Sequence, residues 1–173
     1  RSRARAAPRG GGLGAAGTVV PTVPDGSRLK RADDGGAVFV PACREGGACE
    51  GGRPALCEAG NRANGQGTLL SGQRRLHKGS EAINHHCGIS GFAQFAVMAE
   101  NSLVRIDKSV PLDIAALFGC AVLTGVGSLM NSARLIPGPH IAILGLGGGG
   151  MHAVPGAPAA GRGPLRGTPP PHA

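Results

Sequence analysis

The sequence predicts an α/β chain with a β-rich front part and, behind it, a helical stretch, a strand and a glycine turn. Three observations carry this. Short Val-rich runs at Thr18–Val23 and Ala37–Val40, bounded by Pro, Gly and Asp, read as strands. The apolar spacing over residues 112–133 reads as helix. Ile141-Ala142-Ile143-Leu144 has a buried-strand pattern, and Gly145-Leu146-Gly147-Gly148-Gly149-Gly150 follows at once and satisfies G-x-G-x-x-G.

Taken in order, residues 1–36 are poorly patterned, with Asp25-Gly26 as a turn between the first two strands. Cys43, Cys49 and Cys57 cluster in PACREGGACEGGRPALC, residues 41–57. Thiolates at such spacing suit zinc, with Glu45 or Glu50 as nearby oxygen donors; a loop of three free thiols is the plainer alternative. Residues 59–79 read as loop. His85-His86-Cys87 reads as a loop-to-strand stretch rather than a metal cluster, because neighbours on an extended chain point to opposite faces. Phe92–Met98 and Leu103–Ile106 read as strands joined by a turn at Glu100-Asn101, with Phe92 and Phe95 in the core. Pro111 suits the first turn of a helix. Leu112–Phe118 and Ala121–Ala133 then read as two helices broken near Gly119.

The glycine cluster is where a dinucleotide would bind. The first glycine gives the tight turn, the second lets backbone approach a pyrophosphate, and the next helix offers its free N–H groups. Past Gly150 the pattern weakens. Pro155 and Pro158 are expected to break the helix, and no Asp or Glu occurs in residues 151–173 to hold a ribose. Those 23 residues hold six Pro and four Gly, and they read as a disordered or frame-shifted tail.

Composition narrows the function classes. The 173 residues include 32 Gly and 14 Pro, with only four Phe and no Trp or Tyr, so any core is aliphatic. The formal charge is +8, and seven basic residues against one acid fall in residues 1–31. A basic arm without interleaved aromatics or a recognisable module argues against nucleic acid as a partner. No run of 18 or more apolar residues is present, so no membrane-spanning helix is expected. No signal-peptide pattern appears. Five cysteines, clustered and odd in number, suit a reducing compartment and metal binding, hence the cytoplasm.

Several of these stretches resemble the zinc-dependent alcohol dehydrogenases of the medium-chain dehydrogenase/reductase family. They are Phe118-Gly119-Cys120-Ala121-Val122-Leu123-Thr124-Gly125, Gly91-Phe92-Ala93-Gln94-Phe95-Ala96-Val97, and Gly52-Arg53-Pro54-Ala55-Leu56-Cys57-Glu58. The resemblance covers residues 38–150 and implies a partial GroES-like barrel followed by the start of a Rossmann dinucleotide-binding domain. It divides the chain into a degraded front (1–36), a partial GroES-like domain (37–110) with a structural-zinc loop (43–57), the Rossmann start (111–150) and the tail (151–173). The chain, which begins at Arg1, reads as a fragment.

For the site, the resemblance implies Cys120 as a ligand of the catalytic zinc and Thr124 against the nicotinamide. Gly145, Leu146, Gly147, Gly148 and Gly150 would bind NAD or NADP. The family's structural zinc takes four cysteines spaced C-x2-C-x2-C-x7-C; Cys43, Cys49 and Cys57 fall on the first, third and fourth, and Gly46 stands at the second. Gly12-Leu13-Gly14 stands where the family has Gly-His-Glu, so Leu13 replaces a catalytic zinc ligand. The implied function is NAD(P)-linked oxidation of an alcohol to an aldehyde or ketone, with this chain catalytically impaired. The alternative is a non-catalytic remnant or a weak zinc-binding fragment. Family members form homo-oligomers, which is not expected of this chain.

Overall fold

The structure is a computed structural model that describes residues 12–20, 28–133, 141–159 and 165–168. The chain divides into two compact units, Arg1–Ala116 and Leu117–Ala173.

In the first unit, β1 (Ala16–Thr18), β2 (Asp34–Ala37) and β5 (Leu103–Ile106) form an antiparallel sheet in the order β1-β2-β5. Thr18 pairs with Asp34, whose Oδ1 accepts a hydrogen bond from the Thr18 hydroxyl at 2.7 Å. Asp34 pairs in turn with Ile106. Two strands thus sit earlier than their Val-rich runs suggested. The central strand is Asp-Gly-Gly-Ala, buried over Gly35, Gly36 and Ala37, and pairing rather than side-chain propensity decides its place. The expected Asp25-Gly26 turn lies outside the described residues.

Beyond the sheet come a single helical turn, α1 (Gly47–Glu50), and then α2 (Glu58–Gln66). β3 (Leu76–Lys78) and β4 (Glu81–Ile83) make a hairpin around Gly79-Ser80. The expectation of a loop over residues 59–79 is therefore corrected. The α2 sequence, Glu-Ala-Gly-Asn-Arg-Ala-Asn-Gly-Gln, has poor helix propensity. Its ends are what secure it: the Cys57 side chain caps the start, and Gly67, at φ +68°, closes the end.

The expected strand Phe92–Met98 is absent, and the expected core role of its aromatics fails with it. Phe92 is 87% exposed and Phe95 74%. With no ladder partner, the segment has no buried face on which to place its alternate residues. The buried residues of this unit include Leu29, Ala37, Val40, Ala63, Leu69, Ile89 and Ala115, together with Cys57 and His85.

The break expected at Gly119 is also corrected. α3 (Leu112–Leu117) continues through a π-turn at Phe118–Val122 into α4 (Leu123–Gly127) and a second π-turn at Ser128–Ser132. Wider i→i+5 turns keep the helix going where glycine weakens it. Leu112–Ser132 is one helix of 21 residues, long and apolar enough by length and composition to cross a membrane, contrary to the expectation from apolar runs alone. Serine, threonine, asparagine and glycine interrupt the apolar run without raising the polarity enough to disqualify the helix.

In the second unit, β6 (Ile141–Leu144), α5 (Gly148–Ala159) and β7 (Leu165–Thr168) form a β-α-β crossover with the two strands parallel, Ile141 opposite Leu165 and Leu144 opposite Thr168. α5 runs through Pro155 and Pro158, where a break was expected. Its small residues pack closely on α4: a Cβ on Gly125 would strike the Gly149 carbonyl. Leu129, Ile143, Ala153 and Ala157 form the core, with Ile141 and Val154 against it. That burial outweighs the backbone donors lost at the prolines.

Candidate metal centre and glycine turn

The first unit gathers three thiols. Cys43 precedes α1, Cys49 lies on it, and Cys57 caps α2. The sulfurs all lie within 4.8 Å of one another, with Cys43 Sγ and Cys49 Sγ 3.9 Å apart. Tetrahedral zinc with bonds of about 2.3 Å sets its sulfurs about 3.8 Å apart, so the spacing fits a metal.

Cys57 is 1% exposed and its sulfur accepts the backbone N–H groups of Gly60 and Cys43, each at 3.3 Å. Burial alone would push this thiol up. The Gly60 and Cys43 amides, with help from the neighbouring thiols, outweigh burial and hold Cys57 at about 7. At Cys49 the Arg44 amide favours the thiolate, but desolvation and the bonds to Cys57 and Cys43 push the thiol up. One thiol is thus readied as a thiolate while its neighbour keeps its proton, as expected of like charges drawn together before a cation arrives. Gly60 makes the arrangement possible, because a Cβ there would run into the Pro41 carbonyl.

A cavity of about 150 Å³ opens beside the sulfurs; Gly46, Glu58 and Arg62 line it with the three cysteines. Glu58, Gly60 and Arg62 were missed in the sequence. The available signal was a cysteine immediately before an acidic residue and a helix start. Glu45 and Glu50, the expected oxygen donors, are not in the group of converging ligand atoms.

The second unit holds the glycine turn. Gly145 leaves β6 at φ +91°, a conformation that favours glycine. Gly147 has open space where a Cβ would stand, and the Met151 N–H bonds its carbonyl at 2.9 Å. A Cβ on Gly150 would collide with the Gly145 carbonyl, so the α5 start lies directly against the strand end. These are the three demands of a pyrophosphate turn: a tight bend, open backbone and close helix–strand packing. Leu146 is partly exposed and Gly148 begins α5.

Cys120 lies in the first π-turn, partly buried, and Thr124 on α4, exposed. Thr124 Cγ2 is 4.0 Å from where a Gly149 Cβ would stand, so this helix runs beside the first turn of α5. Cys120 and the three clustered cysteines belong to different units. Leu13, where a histidine was sought, is partly buried in the first unit. His85 is 1% exposed; its Nε2 accepts the Arg75 backbone N–H at 3.1 Å, and its Nδ1 has no hydrogen-bond partner among the described residues.

Fold and site together define an α/β protein with a thiol cluster whose spacing fits zinc in one unit and a β-α-β crossover in the other. No family model matches the sequence. Solved structures do. An alcohol dehydrogenase zinc-binding domain protein from Burkholderia ambifaria is 29% identical with a TM-score of 0.77, over 88% of this chain and 41% of that one. A cinnamyl alcohol dehydrogenase from Sorghum bicolor is 28% identical with a TM-score of 0.57, over 82% of this chain and 36% of that one. Benzyl alcohol dehydrogenase from Acinetobacter calcoaceticus shares the fold, at 24% identity and a TM-score of 0.74, over 88% of this chain and 41% of that one. Over the part it spans, the chain is similar in sequence and in fold to zinc-binding alcohol dehydrogenases. It spans about two fifths of the length of the first solved structures it matches.

Proposed function

We propose that the chain is an NAD(P)-linked alcohol dehydrogenase by descent and catalytically impaired as it stands. In this reading the antiparallel sheet of the first unit is part of a GroES-like barrel, and the β-α-β crossover is the start of a Rossmann domain. The observation that carries the reading is the convergence of Cys43, Cys49 and Cys57, at three of the four positions of the family's structural-zinc loop, within 4.8 Å.

Zinc supplies Lewis acidity toward an alcohol oxygen, and the nicotinamide accepts hydride, when both are bound in a competent member of the family. This chain's own residues do less. Cys43, Cys49 and Cys57 hold a structural ion. Gly145, Leu146, Gly147, Gly148 and Gly150 accept a pyrophosphate along open backbone and the α5 start. Thr124 would contact the nicotinamide if the cofactor were bound. Cys120 offers one thiolate for a second zinc, but Leu13 has no lone pair to join it, and one thiolate does not fix a catalytic ion. The substrate class is a small primary or secondary alcohol, the primary case being the one the similar cinnamyl enzyme is named for, and the odd, clustered cysteines suit the cytoplasm as the place of action.

Two measurements on the purified 173-residue chain test this. Metal analysis is expected to give zinc at no more than one ion per chain, lost on replacing Cys57 by serine. Nicotinamide reduction with alcohols is expected to stay at background. Turnover above background would overturn the impairment, and a zinc content unaffected by Cys57→Ser would overturn the metal assignment.

A further inference from the structure

We propose that a metal held by Cys43, Cys49 and Cys57 keeps its fourth coordination position for a small exogenous donor, a water at rest that imidazole can displace. This rests on the zinc reading above and concerns what the chain does with the corner its cysteines leave vacant.

Gly46 stands at that corner. Its backbone is ordinary extended chain, at φ −94° and ψ 156°, so the conformation does not require glycine. A Cβ built on it would lie 3.4 Å from Cys43 Sγ and meet nothing else within 4 Å. Position 46 therefore faces Cys43 Sγ, one of the three converging sulfurs, and has room for a side chain; what it lacks is a ligand. No other described His, Asp or Glu fills the gap, since the converging ligand atoms are the three thiols alone. Glu58 lines the neighbouring cavity without its carboxylate joining that group.

The cavity supplies the space. At about 150 Å³ it accommodates an ion and a small donor, given about 30 Å³ for a water in the liquid. Charge selects the donor's class. Three thiolates around a divalent ion leave one net negative charge, so a neutral oxygen or nitrogen donor is favoured over another anion. A site with three protein ligands and an exchangeable fourth is an open site, unlike the closed four-thiolate site of a purely structural zinc. The glycine at position 46 converts one kind into the other.

Cobalt(II) tests this, because its visible bands report coordination directly. The full chain is loaded with cobalt and titrated with imidazole. The bands are expected to shift saturably, and the Gly46→Cys chain is expected to show a four-thiolate spectrum that imidazole leaves unchanged. Cobalt should bind the Gly46→Cys chain more tightly by at least the ~10-fold that even an outer-shell partner carries. Cobalt bound with thiolate charge-transfer bands but unresponsive to imidazole would overturn the open position and point to a side chain such as Glu58 in its place. Failure of cobalt to bind at all would instead remove the zinc reading beneath it. Should Gly46→Cys misfold, the imidazole titration of the unaltered chain decides the matter alone.

Discussion

His85 shows how a single side chain couples the fold to pH. Its ring is buried, with Nε2 accepting the Arg75 amide and the proton on Nδ1. Burial first, and the Arg74 guanidinium second, hold its pKa below the usual histidine value. The unfolded chain therefore takes up a proton near pH 6.5 that the folded chain refuses. This contribution to stability is intact above that pH, falls as pH drops below it, and is fully lost once pH passes below the folded value. Chemical denaturation at a series of pH values is expected to show stability decreasing below pH ~6.5, by at most about 1.4 kcal/mol per pH unit for one proton. His85→Gln should flatten that slope, and an unchanged slope would assign the dependence to other groups. From the sequence, this histidine was legible only as one that shares no ion with His86. Its burial, like that of Ile89, is set by tertiary packing, which no local pattern shows.

At the scale of elements, the glycine turn was more legible than the helix after it. The order strand, G-x-G-x-x-G, helix is written in consecutive residues, and the structure gives each glycine a distinct physical reason. Gly150 is the one that tolerates least. Gly150→Val places a Cβ against the Gly145 carbonyl, forcing α5 away from β6. A loss of roughly 2–4 kcal/mol in stability is expected, from overpacking together with backbone displacement, read by urea denaturation of the full chain. Gly147→Ala faces open space and is expected to cost much less, so equal losses at the two positions would contradict the turn geometry. The continuation of α5 through Pro155 and Pro158 was not legible, because proline argues locally against helix. Ala153 and Ala157, both buried in the core with Leu129 and Ile143, oppose that local preference. In the same way α2 was hidden by its glycines and asparagines, and only the cap contacts of Cys57 and Gly67 reveal it.

At the scale of the whole molecule, the thiol cluster lies in the first unit alone, so under the proposed zinc reading the metal should stabilise that unit's unfolding step. At free zinc of 100 times the dissociation constant the linkage contributes about 2.7 kcal/mol, or roughly 10 °C or more in melting temperature for a unit of this size. Chelation is expected to lower the melting temperature by that amount. A chain carrying Cys57→Ser should melt at the same temperature with or without chelator, and a persistent chelator effect would place the stabilising metal elsewhere.

The resemblance, the thiol loop and the glycine turn were determined by the sequence itself, because each is a run of neighbouring residues whose chemistry depends on spacing. Three cysteines at the right intervals, and glycines spaced G-x-G-x-x-G after an apolar strand, are visible before the chain is folded. Tertiary structure decided what depends on residues far apart. It drew Gly60 against Pro41 so that Cys57 receives two amides, turned position 46 toward Cys43 Sγ, and left Glu45 and Glu50 outside the cluster. It also exposed Phe92 and Phe95, which by hydrophobicity alone belong in a core. Burial is a property of partners as well as of residues, and partners are chosen only when the chain closes on itself.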